Sequence, residues 1–162
     1  MAEKKLIALE INGRRLEASV PPNQTLLESL RELGYFEVKS GCEKGDCGAC
    51  AVLVDGEAID SCLTLTWTVE GRRLTTVAGL GSGEHLHPLQ TAFIEHGAIQ
   101  CGYCTPGLII AAQSMLDTTP NPNDEDIRLA LSGNLCRCTG YTKVFAAVRD
   151  AAAVMREGKR SG

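Results

Sequence analysis

Residues 41–50 have the sequence GCEKGDCGAC. Three cysteines, Cys42, Cys47 and Cys50, have the spacing C-x4-C-x2-C, and Cys62 follows after eleven further residues. This spacing is typical of plant-type [2Fe–2S] sites, in which a tight loop surrounds the cluster and a later segment supplies the fourth thiolate. Glycines in such a loop let the backbone approach the cluster closely and adopt positive φ angles at little cost. The stretch therefore predicts an iron–sulfur cluster held by these four cysteines.

A second group of four cysteines has a different spacing. Cys101 and Cys104 form a C-x2-C pair, and Cys136 and Cys138 form a C-x-C pair after 31 intervening residues. The eight cysteines thus divide into two groups of four. Zinc is an alternative for the second group, because an all-cysteine zinc site can combine a C-x2-C pair with a later pair. The C-x-C pair is less usual in zinc sites, and the residues alone leave iron–sulfur and zinc open for this group.

Disulfide bonds and a catalytic thiol explain the cysteines less well. The N-terminal residues 1–5, MAEKK, lead directly into an alternating segment without a signal peptide. Clustered cysteines in a cytosolic chain more often serve metal binding or catalysis than disulfide formation. Cys136 and Cys138 are also too close in sequence for a comfortable disulfide, and a single catalytic cysteine would leave seven unexplained. We therefore expect a cytoplasmic protein whose cysteines bind metal.

The composition excludes several classes of function. The 162 residues include 20 Asp and Glu against 16 Lys and Arg, which gives a net charge of −4. Without a basic block, this charge argues against binding to nucleic acid or to an anionic membrane surface. No apolar run is long enough to span a bilayer. Hydrophobic residues make up 44% and aromatic residues only 4%, so we expect one domain or two small ones with aliphatic cores and stabilisation by bound metal.

Residues 1–78 are predicted to form a β-grasp domain, an α+β arrangement in which a helix crosses a small mixed sheet. Apolar and polar residues alternate on either side of Asn12-Gly13, the favoured dipeptide of a two-residue hairpin turn. Thr25 and Glu28 match a capping box that opens a helix. The predicted elements are strands over residues 5–11, 14–20, 51–54, 57–62 and 72–77 and a helix over residues 25–33.

Residues 84–160 show almost no strand signal and are predicted to form a four-helix domain after a glycine-rich linker at residues 78–83. Thr105 and Pro106 match an N-cap followed by proline at the first helical position. The polar tail, residues 157–162, is expected to fray. Both cysteine pairs then lie at helix ends, where backbone N–H groups favour anionic thiolates. The predicted helices cover residues 88–97, 105–116, 124–131 with Asp124 as N-cap, and 142–155 with Thr142 as N-cap.

Three runs of sequence resemble the small subunit of the molybdenum hydroxylases. They are residues 41–50, quoted above, residues 100–107 (QCGYCTPG) and residues 133–141 (GNLCRCTGY). This family includes bacterial xanthine, nicotinate, aldehyde and carbon monoxide dehydrogenases. The resemblance covers nearly the whole chain in order, and its one small departure is Asp46, where the family usually has glutamate. It implies a [2Fe–2S] cluster on each cysteine group, with the ligands Cys42, Cys47, Cys50 and Cys62 for the first and Cys101, Cys104, Cys136 and Cys138 for the second.

The resemblance implies an electron-transfer subunit of an oxidoreductase, with no catalytic residue of its own. A large partner subunit would hold molybdopterin and oxidise the substrate, and a medium partner subunit would hold FAD. Electrons would pass from molybdenum to the second cluster, then to the first cluster, then to FAD. Gln100 and Cys138 match family positions that contact the pterin. The expected assembly is a dimer of heterotrimers.

Two other classes of function remain open on the residues alone. A stand-alone ferredoxin would carry electrons between unrelated partners. Such a protein needs no pterin contact from Gln100 and little exposed apolar area. A zinc-stabilised binding module would show no visible chromophore.

Overall fold

The computed structural model describes residues 3–81 and 83–160, except for the side chains of residues 159 and 160. Ser82 in the predicted linker and residues 161–162 in the predicted fraying tail lie outside the described residues. Strands dominate the chain up to Thr75, which is called the sheet region. Helices follow from Val77 onward, which is called the helical region.

The sheet region contains one mixed sheet. Its strands are β1 (Lys5–Ile11), β2 (Arg14–Val20), β3 (Ala51–Val54), β4 (Glu57–Asp60) and β5 (Arg73–Thr75). They lie in the order β2-β1-β5-β3-β4, with β1 and β5 parallel and every other neighbouring pair antiparallel. Asn12 and Gly13 both have positive φ angles, 51° and 74°, as the predicted hairpin turn requires. The predicted α+β class is confirmed.

Helix α1 (Leu26–Glu32) covers one face of this sheet. The predicted capping box is present, since the Thr25 hydroxyl accepts from the Glu28 N–H at 3.2 Å and the Glu28 carboxylate accepts from the Thr25 N–H at 2.7 Å. The helix buries Leu26 and Leu30 completely. Each such leucine stabilises the fold by roughly 1.5–3 kcal/mol relative to an exposed side chain.

The end of the sheet region differs from the prediction. β5 ends at Thr75, and residues Val77–Leu80 form a short helix, α2, instead of a strand end and loose linker. The tip of the first hairpin holds this junction, because Asn12 accepts from the Thr76 N–H at 2.8 Å and donates to its hydroxyl at 2.9 Å. A Cβ on Gly79 would lie 2.1 Å from the Asn12 side chain. The glycine there permits close packing. Similarly, β4 ends at Asp60, before the predicted residue 62, and a 3₁₀ turn follows at Thr66–Val69.

The helical region contains the four predicted helices, with small differences at their ends. They are α3 (Pro88–Glu95), α4 (Thr105–Thr118), α5 (Asp124–Leu131) and α6 (Thr142–Arg160). The N-caps of α4 and α5 are Cys104 and Asn123, one residue before the predicted Thr105 and Asp124. α6 continues to Arg160, so the helix extends past its predicted end at residue 155 into the polar tail. Within the described residues, no helix combines the length and apolar character needed to cross a membrane.

Helix α4 joins the two regions by packing on the face of the sheet opposite α1. Its Ile110 is fully buried against Ala51 and Leu53 of β3. The Ser114 hydroxyl accepts from the Ala58 N–H at 3.1 Å and donates to the Gly56 carbonyl at 3.4 Å. Because helices cover both faces of β3, all four of its residues are buried, which explains its continuous apolar sequence. The two regions therefore share one packed interface.

We expect stability to depend on pH through His87, which caps α3. Its Nδ1 accepts from the Leu89 N–H at 3.3 Å, and burial lowers its pKa, against a smaller opposing effect of Asp117. Protonation removes the acceptor and is more costly in the folded state. The stabilisation is thus complete above the pKa of the unfolded chain, about 6.5, and is lost as pH falls through that value toward the lower folded pKa.

A His87→Asn variant should lose less stability than the wild type between pH 7 and pH 5.5. Asparagine is a good N-cap that does not titrate, so the two proteins should have similar free energies of unfolding at pH 8. Urea denaturation followed by circular dichroism at each pH measures the difference. Parallel pH profiles for the two proteins would contradict the assignment.

Candidate metal centres

The first four predicted ligands lie at one end of the sheet. Cys42 and Cys47 are half-buried in the irregular loop before β3, Cys50 directly precedes β3, and Cys62 follows β4. The β3–β4 hairpin brings Cys50 and Cys62 together, close enough for Cys62 to affect the ionisation of the Cys50 thiol after the larger effect of burial. Both are almost completely buried, with 3% and 7% of their surface exposed. Cys47 is likewise close enough to Cys42 to contribute, after the backbone N–H of Lys44, to the lowered pKa of Cys42.

The loop that carries these cysteines has little room for side chains at its glycines. A Cβ on Gly41 would lie 2.8 Å from the Cys47 sulfur. Gly45 and Gly48 have φ angles of 84° and 64°, which side chains rarely adopt. The Asp46 N–H consequently points at the Cys42 sulfur, at 3.2 Å. The loop thus supplies a backbone donor to one of its own thiols.

The second four predicted ligands meet between helix ends. Cys101 and Cys104 lie just before α4, and Cys136 and Cys138 lie between α5 and α6. The sulfurs of Cys101 and Cys138 are 3.6 Å apart, and Cys136 is close enough to Cys104 to add to the rise in the pKa of Cys104 that burial causes. The hydroxyl of Thr139 lies 3.1 Å from the Cys136 sulfur.

The surroundings divide these thiols into acidic and weakly acidic ones. The backbone N–H of Lys44 makes the largest contribution to lowering the pKa of Cys42 to about 7. Burial opposes ionisation of Cys136, but donors led by Thr139 still lower its pKa to about 7. Burial raises the pKa of Cys50 and of Cys104 to about 12. Thiol ligands must be deprotonated, so loading either site with metal releases protons.

Each group supplies four thiols, and all eight cysteines are free. Four thiolates are the donor set of a [2Fe–2S] cluster, two for each iron. Among the described residues, no three His, Cys, Asp or Glu side chains are already placed around a single point. The residues of both groups fit the binuclear cluster.

Gln100 and Cys138, the predicted pterin contacts, lie together beside the second group. The Gln100 side chain donates to the Cys138 carbonyl at 3.1 Å, and both residues are exposed. Ile99, Tyr103 and Leu135, which belong to the same two cysteine-bearing segments, are exposed, with 39%, 48% and 58% of their surface accessible.

Two residues near the second group have roles that the sequence did not predict. Asn134 and Tyr141 lie within one of the runs quoted above but carried no prediction of function. Asn134 is a buried polar residue, and Tyr141 has a positive φ of 64°. The only feature of the sequence that marks either residue as functional is its position close to Cys136 and Cys138. Asn134 contacts the first cysteine loop, which is distant in sequence, and Tyr141 contacts Asn134.

Comparisons with known proteins agree with this geometry. The family model described as "2Fe-2S iron-sulfur cluster binding domain" matches residues 9–77, and the one described as "[2Fe-2S] binding domain" matches residues 76–149. The nicotinate dehydrogenase small FeS subunit of Eubacterium barkeri is 46% identical, covering 90% of this chain and 94% of the relative. The nicotine 6-hydroxylase small subunit of Paenarthrobacter nicotinovorans is 48% identical, covering 90% and 88%. A crystal structure of quinoline 2-oxidoreductase from Pseudomonas putida 86 superposes with a TM-score of 0.91 at 42% identity, covering 97% of this chain and 99% of that one.

Proposed function

Because the chain belongs to the small iron–sulfur subunits of the molybdenum hydroxylases, we propose that it carries electrons between a molybdenum-containing large subunit and an FAD-containing medium subunit. The observation that carries this proposal is that the fold gathers eight free cysteines into two groups of four. When bound, each [2Fe–2S] cluster accepts and releases one electron. The chain's own residues hold the clusters and set their surroundings.

The proximity of the thiols supports a specific assignment of ligands to iron atoms. Each pair of neighbouring thiols is proposed to hold one iron, and for Cys101 and Cys138 the two sulfurs are 3.6 Å apart. The proposed pairs are Cys42 with Cys47 and Cys50 with Cys62 in the first cluster, and Cys101 with Cys138 and Cys104 with Cys136 in the second.

The exposed surface supports contact between the second cluster and the large subunit. Gln100 and Cys138 would face the pterin there, and the apolar side chains around them would be covered by the partner. Leu63 and Leu65, which follow Cys62, are 63% and 45% exposed and would face the flavin-containing subunit. We propose two domains, residues 1–78 and 84–160, in a cytoplasmic dimer of heterotrimers. The mass of the native complex tests this stoichiometry.

Metal analysis tests the proposal directly. The protein purified anaerobically from its native host should contain about four iron and four inorganic sulfide per chain. Reduced protein should show two distinguishable EPR signals, because Cys50 and Cys62 are buried whereas Cys101 and Cys138 are exposed, and exposure changes cluster properties. Zinc in place of iron without visible absorption would disprove the proposal. A single signal integrating to one spin per chain would disprove the second cluster.

A further inference from the structure

The two cysteine loops contact each other directly. The Cys47 carbonyl accepts from the Leu135 N–H at 3.0 Å, and the next carbonyl, that of Gly48, accepts from the Asn134 side-chain amide at 3.0 Å. Leu135 immediately precedes Cys136. A proposed ligand of the first cluster is therefore linked to the neighbour of a proposed ligand of the second by one hydrogen bond.

Asn134 is held firmly in this contact. Only 6% of its surface is exposed, its N–H donates to the Leu131 carbonyl at 3.0 Å, and its carbonyl accepts from the Tyr141 hydroxyl at 2.9 Å. The same hydroxyl accepts from the Cys136 N–H at 2.6 Å. Tyr141 thus clamps the backbone on both sides of Leu135, and it does so from a left-handed conformation that a tyrosine rarely adopts.

The first loop is closely packed at this contact. A Cβ on Gly48 would lie 2.4 Å from the Asn134 amide nitrogen. On its other side, the Gly48 carbonyl lies against α4, where a Cβ on Gly107 would be 2.2 Å from the oxygen. The Gly48 peptide is enclosed between Asn134 and the helix. The close packing of Asn134, the Gly48 peptide and α4 therefore sets the separation of the two loops.

We propose that Asn134 and Tyr141 are positioning residues for electron transfer between the two clusters. They hold the second cysteine loop against the first, which fixes the separation and relative orientation of the clusters. The step that depends on them moves one electron, so that one cluster is oxidised and the other is reduced, with no bond or proton changed. This inference rests on the proposed function, because it presupposes that both groups of cysteines hold clusters.

The test uses the assembled, cluster-loaded enzyme with the variants Tyr141→Phe and Asn134→Ala. Tyr141→Phe removes the clamping hydroxyl and preserves the ring. Asn134→Ala removes the donor to the first loop and touches no sulfur. Ser114→Ala is the matched control, because it removes hydrogen bonds across the same interface but contacts no cysteine. Iron content, the EPR splitting from magnetic interaction between the reduced clusters, and hydrogen exchange of the Leu135 amide are measured for each.

Both variants should keep about four iron per chain but show a changed EPR splitting and at least roughly tenfold faster exchange of the Leu135 amide, since opening of the contact limits exchange. Ser114→Ala should match the wild type in both. Wild-type splitting and exchange in Tyr141→Phe and Asn134→Ala would overturn the proposal. Loss of iron from both variants would also overturn it, because the residues would then hold a cluster and not the spacing. Absence of iron from the wild type would instead disprove the proposed function.

Discussion

Replacing Cys47 with serine should abolish turnover with the physiological electron acceptor while substrate still reduces the second cluster. Cys47 is proposed to hold the first cluster, on the flavin side. A serine hydroxyl is a much poorer ligand for iron than a thiolate, so this cluster should be lost or damaged. Molybdenum and the second cluster lie before the break in the proposed order of transfer, and they should accept electrons at the wild-type rate.

Replacing Cys138 with serine should also abolish turnover, but with the opposite distribution of electrons. Reducing equivalents should remain at molybdenum, and the first cluster should stay oxidised after substrate is added. Cys138 also lies at the surface with Gln100 bonded to its carbonyl, so the variant tests the side of the chain that faces the large subunit. The two substitutions therefore separate the roles of the two clusters.

Rapid-freeze EPR of both variants after mixing with substrate distinguishes these outcomes. Ser114→Ala serves as the control, because it alters the packing of α4 on the sheet away from every cysteine. This variant should show both clusters reduced. Iron content of each variant shows which cluster has been lost. If Cys47→Ser leaves the second cluster oxidised while molybdenum remains active, the order of electron transfer is reversed and the proposed orientation of the chain in the complex is wrong.

Local sequence signals predicted most elements of the fold, because each signal carries its own geometry. The Asn12-Gly13 turn and the box formed by Thr25 and Glu28 need only a few neighbouring residues, and both are present. Helix starts were predicted within one residue. At α5, both Asn123 and Asp124 are good N-caps, and only the hydrogen bonds of the folded chain select Asn123. Sequence preference could not decide between them.

Features that join distant segments could not be predicted in the same way. The cysteine spacings identified the two groups, but four cysteines allow three pairings, and the contacts between sulfurs depend on the folded loops. The bond from Asn134 to Gly48 spans 86 residues and has no periodic pattern. Likewise, residues 77–80 gave the signal of a strand end and a linker, whereas packing against Asn12 makes them a helix. Tertiary contacts decided these features.

The contact between the two cysteine loops makes a second strong prediction, for Gly107→Ala. Gly107 lies in the first turn of α4 without a positive φ, so alanine would ordinarily stabilise the helix by up to about 1 kcal/mol. Here the new Cβ would lie 2.2 Å from the Gly48 carbonyl oxygen and 3.1 Å from the Asn134 amide nitrogen. A backbone carbonyl cannot rotate away as a flexible side chain can. The loop that carries Cys47 must therefore shift.

We expect Gly107→Ala to destabilise the protein despite its favourable helix propensity. Overpacking of this kind costs about 1–3 kcal/mol, and strain on the bond between Asn134 and Gly48 adds about 1 kcal/mol, which together exceed the gain. Gly158→Ala is the matched control, because Gly158 lies in α6 and a Cβ added there would meet nothing within 4 Å, so this variant should be neutral or slightly stabilised. Urea denaturation of both variants, with iron content measured in parallel, gives the comparison. A Gly107→Ala protein as stable as Gly158→Ala, with its full iron content, would show that the loops are not in the close contact on which the positioning role of Asn134 depends.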